Sequence, residues 1–361
     1  MATRFGVLLG FSALLATGLL ASCGSSTTPS VSGFVVTGSM GVGRLAPAEV
    51  LLANGKVLVA SGAGDLPASS ELYDPFSGRF AATGSVITPR TNATATLLPD
   101  GKVLLAGGDA GGMPPAIASA ELYDPNTGFF TSTGSMNAAR SIFSAVLLPN
   151  GKVLVVGGAS LEAQWASAEL YDPATGLFTA TGSMTSPRWD PTVTVLTNGK
   201  VLVAGSDANG GATAELYDSA TRTFTATGNM TMRRYWGVAT RLANGKVLIV
   251  GNNQGTGAEA EIYDPATGIF TATGNMTVGR ESPAATILPS GKVFVAGGFA
   301  SLTRLASAEI YDPGTGTFTA TASMSTGRTG KFATLVPTGA VLVVGGSGPG
   351  AVASTAQLYN E

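Results

Sequence analysis

The side chains best suited to gripping a ligand are three tryptophans, Trp165, Trp189 and Trp236, with a few polar companions. Asp190 follows Trp189, Arg233 and Tyr235 stand near Trp236, and Glu281 and Asn252-Asn253-Gln254 lie further along. An indole face among carboxylates and amides makes a stacking platform with polar groups around it, which suits a sugar or a peptide. Asp190 and Glu281 could instead divide acid and base roles in cleaving a polysaccharide. A third reading has the tryptophans plugging a channel or filling gaps. The chain has no histidine, which removes the commonest general base and the commonest metal ligand together. No metal, nucleotide or nucleophile motif is present, so no cofactor is expected.

Whether these residues can meet depends on the elements that carry them, and those elements repeat. Glu-Leu/Ile-Tyr-Asp recurs with its tyrosine at Tyr73, Tyr123, Tyr171, Tyr217, Tyr263 and Tyr311, and a relic ends at Tyr359. Successive tyrosines are 50, 48, 46, 46, 48 and 48 residues apart. A Gly-Lys-Val phrase places Lys56, Lys102, Lys152, Lys200, Lys246 and Lys292, with Ala340 in the last copy. A Thr-Gly-Ser/Asn-Met phrase is followed in every copy by an arginine: Arg44, Arg90, Arg140, Arg188, Arg234, Arg280 and Arg328. The chain is seven copies of one unit.

Each unit reads as four strands. Ala93 to Leu98 ends at Pro99-Asp100-Gly101, a turn with glycine where positive φ is wanted. Lys102 to Ala106 is a continuous apolar run, typical of a strand buried on both faces. Gly107-Gly108 and a loop of variable length lead to Ala120 to Tyr123. A hairpin at Asp124-Pro125-Asn126-Thr127-Gly128 then gives the fourth strand, Phe129 to Thr133. After the first thirty or so residues no segment holds a helical period.

Four strands in about 46 to 50 residues match one blade of a propeller. The double glycine, the spaced tyrosine and a last-strand aromatic, as in Gly157-Gly158, Tyr171 and Phe178, resemble the kelch motif over roughly residues 33 to 361. The resemblance implies an all-β, seven-bladed β-propeller. Two departures stand out. Phe80, Phe130, Phe178, Phe224, Phe270 and Phe318 replace the family's usual tryptophan, and Gly205-Ser206 and Gly251-Asn252 lose part of the double glycine. Galactose oxidase carries a propeller of this kind, but its copper chemistry uses two histidines and a cysteine cross-linked to tyrosine. This chain has no histidine and one cysteine, Cys23. Its Tyr-Asp-Pro-x-Thr-Gly hairpin also departs from the Ser-x-Asp-x-Gly-x-Thr-Trp box of sialidases.

The two ends complement one another. Phe34 to Gly38 reads as a fourth strand without the first three, and Tyr359 to Glu361 closes a third strand without a fourth. The N-terminal strand is therefore expected to complete the last blade and remove an open edge. Short turns are nearly the same in every copy, whereas the loops after the double glycine and the turns into each first strand vary, which makes the variable face the candidate site. The repeated arginines resemble those that bind acidic peptides in animal kelch adaptors. Each full copy also carries Glu71, Glu121, Glu169, Glu215, Glu261 or Glu309, with Gln357 in the last, so structural pairing is the favoured reading.

Residues 1–22 read as an export signal, with Arg4 ahead of an apolar stretch from Val7 to Leu20. Leu20-Ala21-Ser22-Cys23 resembles the bacterial lipobox, which implies acylation of Cys23, and residues 23–32 form a Ser/Thr/Pro tether. Residues 33–361 are the propeller. Gly24 resembles the signal for outer-membrane sorting, so the expected location is the bacterial cell envelope. Net charge is −2 and only 12% of residues are charged, with no basic block, so nucleic acid is not an expected partner. The expected function is a membrane-anchored extracytoplasmic module presenting its variable face, Trp165, Trp189, Asp190, Arg233, Tyr235, Trp236 and Glu281, to a glycan or protein. The alternative is a polysaccharide hydrolase or lyase on the same face.

Overall fold

In the computed structural model the described residues are 32–361, apart from 111–114, 162, 209, 253–256, 302, 330–332 and 349–350. The export signal, Cys23 and nearly all of the tether lie outside them, as do Asn253 and Gln254. Within them the elements are all strands, arranged as seven four-stranded antiparallel sheets with three small two-stranded ribbons in the loops. Blade one, for example, runs Ala48–Leu51, Val57–Ala60, Ser70–Asp74 and Arg79–Thr83, in that spatial order. The chain is a seven-bladed β-propeller, as the repeat implies.

The second strand of every blade is buried along its whole length, which is what an unbroken apolar run requires. Because side chains alternate across a strand, one strand feeds two cores. Val57 and Val59 pack toward blade seven, against Leu342, Val344 and Ala356, while Leu58 and Ala60 pack toward blade two, against Val103 and Leu105. The hydrophobic core is thus a set of seven layers between blades, and every blade needs both neighbours.

The termini share the seventh sheet. Gly33–Val36 pairs with Ala356–Asn360, with Phe34 opposite Tyr359. Phe34 therefore stands where the other blades have Phe80, Phe130, Phe178, Phe224, Phe270 and Phe318, each opposite its own tyrosine. Each tyrosine hydroxyl also reaches a threonine at the end of the preceding blade, at 2.7–2.9 Å. Thr37–Tyr73 is the copy of this clasp that joins blade seven to blade one.

Glycine is required where blades come closest. The Gly84 amide donates to the Gly128 carbonyl at 2.9 Å, and a Cβ at Gly84 would stand 2.2 Å from that oxygen. Gly108 holds φ +96° beneath the Thr91 carbonyl, a conformation that an L side chain resists. Ser206, which replaces the second glycine in blade four, keeps positive φ at 55°.

The repeated arginine and glutamate are structural. Arg140 Nη2 donates to Glu169 Oε1 at 2.9 Å, and its Nη1 donates to the Gly157 and Ser167 carbonyls at 2.8 and 3.0 Å. Glu169 in turn accepts the Asn137 and Ala138 amides at 2.7 and 3.2 Å. The pair therefore fastens the turn entering blade three to that blade's third strand. Equivalent ion pairs join Arg44–Glu71, Arg90–Glu121, Arg188–Glu215, Arg234–Glu261 and Arg280–Glu309. In blade seven Gln357 takes over the carboxylate's role of accepting an amide, from Ser325 at 3.0 Å.

Burial separates this pair from the Lys–Asp pairs of the opposite face. Side-chain exposure is 0% and 3% for Arg140 and Glu169, but 33% and 28% for Lys152 and Asp172, which are 2.8 Å apart. Removing one partner of a buried pair strands a charge, whereas an exposed pair contributes little. In urea or guanidinium unfolding, Glu169→Ala should cost about 3–5 kcal/mol and Lys152→Ala under about 1 kcal/mol. Comparable losses from the two variants would contradict the assignment.

Candidate functional site

Two residues after six of the seven arginines the described backbone turns left-handed. Ala46, Asn92, Ile142, Asp190, Trp236 and Ser282 have φ of 47, 53, 51, 57, 55 and 49°. For an L residue this conformation costs roughly 1–2 kcal/mol, less for Asn and Asp, which tolerate it. The fold enforces it because the residue sits between an arginine locked into the third strand and the first strand of its blade. All six residues line one cavity on the axis, of about 530 Å³. The repeat sets this backbone in six blades and leaves the side chains chemically different around one cavity.

A second hollow of about 490 Å³ lies beside the first, with Ile142 on the wall of both. Its lining includes Asp109, Ser141, Leu161 and Trp189. Trp189 meets Trp236 edge to face, with ring centroids 5.4 Å apart, so the two indoles bridge the hollow and the axial cavity. Asp109 Oδ2 accepts hydrogen bonds from Asn92 Nδ2 at 3.0 Å and Ser141 Oγ at 2.7 Å, which stiffens the same wall.

The sequence-derived residues divide into two groups. Trp189, Asp190 and Trp236 come together at these cavities. Trp165 stands apart: its Nε1 donates to the Ala139 carbonyl at 3.1 Å, and its ring lies 5.9 Å from the Arg140 guanidinium carbon. Tyr235 donates to the Asp207 carbonyl at 3.3 Å, and Arg233 is exposed. Glu281 exchanges backbone hydrogen bonds with Phe299, at 2.8 Å each, and lines neither cavity. Burial raises the Glu281 pKa.

One residue escaped the sequence reading. Glu49, in the first strand of blade one, lines the axial cavity together with Ala95, Ala145, Val193 and Ala239, which hold the same register in blades two to five. Its Oε1 accepts a hydrogen bond from Thr334 Oγ1 of blade seven. Its Oε2 is closed to solvent and has no hydrogen-bond partner among the described residues. Burial pushes its pKa up to about 7, the Thr334 bond opposing only part of the rise. Superposing the seven first strands would have exposed it as a carboxylate in a row of Ala and Val.

The raised pKa makes stability pH-dependent. The unfolded chain ionises Glu49 near its ordinary value of 4.5, while the folded chain holds the proton until about pH 7. The folded protein therefore loses stability as pH rises through this window. Glu49→Gln is free of that loss, so its stability relative to wild type should grow by about 2–3 kcal/mol from pH 4.5 to 7. Denaturant unfolding at several pH values measures it, and a gap that stays constant would contradict the assignment.

Residues 282–325, the sixth blade with its flanking turns, match the family model described as the kelch motif. No curated protein matches the chain. Among solved structures it is similar to a fungal alcohol oxidase of the AA5 family determined in complex with copper, with TM-score 0.67 and 21% identity over 91% of this chain and 75% of that one. At that identity the likeness concerns the fold. The residues present here do not fit copper, which favours imidazole and thiolate donors: the chain has no histidine, its one cysteine is Cys23, and the described residues contain no group of three or more His, Cys, Asp or Glu able to hold a metal. The chain is a seven-bladed β-propeller bearing a kelch motif, similar in fold to that oxidase.

Proposed function

We propose that this propeller is a binding module, exported and anchored through a lipid on Cys23, that presents its channel mouth to an extracellular glycan. The observation that carries the reading is the Trp189–Trp236 pair, which links two hollows ringed by strained and chemically varied residues. Indole faces stack on the apolar faces of sugar rings, while Asp190, Asn92 and Ser282 supply hydrogen bonds at the mouth. Two features favour binding over cleavage and over nucleic acid. Asp190 lines the cavity and Glu281 does not, so the acid–base pair offered by the sequence is not assembled there, and Glu49, the other carboxylate of the cavity, is engaged by Thr334 of blade seven. Among the described residues the axial cavity is lined by Glu49 and Asp190 and by no Lys or Arg that would attract phosphate.

A glycan array followed by calorimetry tests the reading. Trp236→Ala should weaken the best glycan by about tenfold or more, in keeping with about 1–3 kcal/mol for a buried aromatic contact, and Trp165→Ala should leave it unchanged. Equal affinities in wild type and Trp236→Ala would sink the proposal, as would products appearing when the glycan is incubated with the protein. Cys23→Ser should release the protein from membranes; retention would refute the anchor.

A further inference from the structure

The axial cavity has a charge that the glycan reading leaves unused. Its described lining residues include two carboxylates, Glu49 and Asp190, and no cationic side chain. Glu49 lies three residues along the chain from Ala46 of the left-handed ring, inside the first strand of blade one. Thr334 occupies its Oε1, so Oε2 is left as a buried acceptor without a partner among the described residues. A buried polar atom in that state calls for a donor. Near the mouth the Trp236 indole adds a surface that attracts cations.

A metal ion is a poor occupant. Calcium takes six to eight oxygens, whereas the residues in register with Glu49 are Ala95, Ala145, Val193, Ala239 and Ala285. A carbon-borne ammonium group differs. It brings its own apolar body to those alanines, needs one carboxylate, and finds acceptor oxygens on Thr94, Ser144 and Thr192 nearby. We propose that the channel is a subsite for a primary ammonium group and that the ligand of the mouth is an amino sugar. The amino-sugar half rests on the glycan reading above; the ammonium half does not.

The pH behaviour follows from the same geometry. The described charged groups facing the cavity are Glu49 and Asp190, and Thr334 is the hydroxyl that touches Glu49. Pairing needs the ionised carboxyl, and burial holds Glu49 protonated up to about pH 7. A probe that stays charged, such as n-butylammonium, should therefore bind more tightly as pH rises through about 7.

Calorimetry at neutral pH would compare a fully deacetylated chitosan tetrasaccharide with its N-acetylated counterpart, using wild type, Glu49→Gln and Trp236→Ala. The deacetylated sugar should bind wild type about tenfold more tightly, and Glu49→Gln, checked for folding by circular dichroism, should lose that preference. No preference in wild type, or one that survives in Glu49→Gln, overturns the proposal. So does Glu49-dependent calcium binding that displaces n-butylammonium. Lys331, outside the described residues, precedes Thr334 by three positions; a preference present only in Lys331→Ala overturns the proposal as well. The two readings fail separately. Equal binding of both sugars that is lost in Trp236→Ala keeps the glycan site and removes the ammonium subsite. Glu49-dependent binding of n-butylammonium without either sugar does the reverse.

Discussion

No blade of this protein can bury both its faces alone. Each second strand sends alternate side chains into two layers, so each sheet is finished only when a neighbour covers each side. A row of such sheets would end in two bare faces, and a ring has none. Everything else about the molecule depends on that closure, which is made where the two ends of the chain share a sheet.

Closure explains why the polar repeats are so uniform. The Tyr–Thr clasp, the close approach of Gly84 to Gly128 and the Arg–Glu pair each tie one blade to the next or to the turn between them. Blade seven shows what is dispensable. Its outer face has Ala340 for lysine and Asn360 for aspartate, so both members of the exposed ion pair are gone together. Gln357 still holds its turn, and Arg328 is still bound to the Gly345 and Thr355 carbonyls. Burial lowers the Arg328 pKa. The buried polar network tolerates a lost charge when the hydrogen bonds remain.

The same rigidity creates the mouth. An arginine fixed on one side and a strand on the other leave a single residue to make the turn, and it makes it left-handed in six blades. The fold specifies that backbone and leaves the side chain open, so evolution can write Ala, Asn, Ile, Asp, Trp or Ser there. Chemical variety around the cavity is concentrated in the residues that the repeat does not dictate.

That division also sets what the sequence could reveal. Blade number, strand order and the shared seventh sheet were legible because periodicity and two incomplete ends determine them. The Arg–Glu pairing was legible because both occur once per unit. Trp189, Asp190 and Trp236 were found as departures from the repeat, but Trp165 is an equal departure and lies over Arg140, since a loop's course is not periodic. Glu49 was missed because it hides in an apolar strand where only register reveals that it faces the axis. The decisive measurement is hydrogen exchange on a protein lacking Gly33–Val36. Dependence on closure predicts lost protection not only in Ala356–Asn360 but also in Val201–Ala204, on the far side of the ring; loss confined to the last sheet would contradict it.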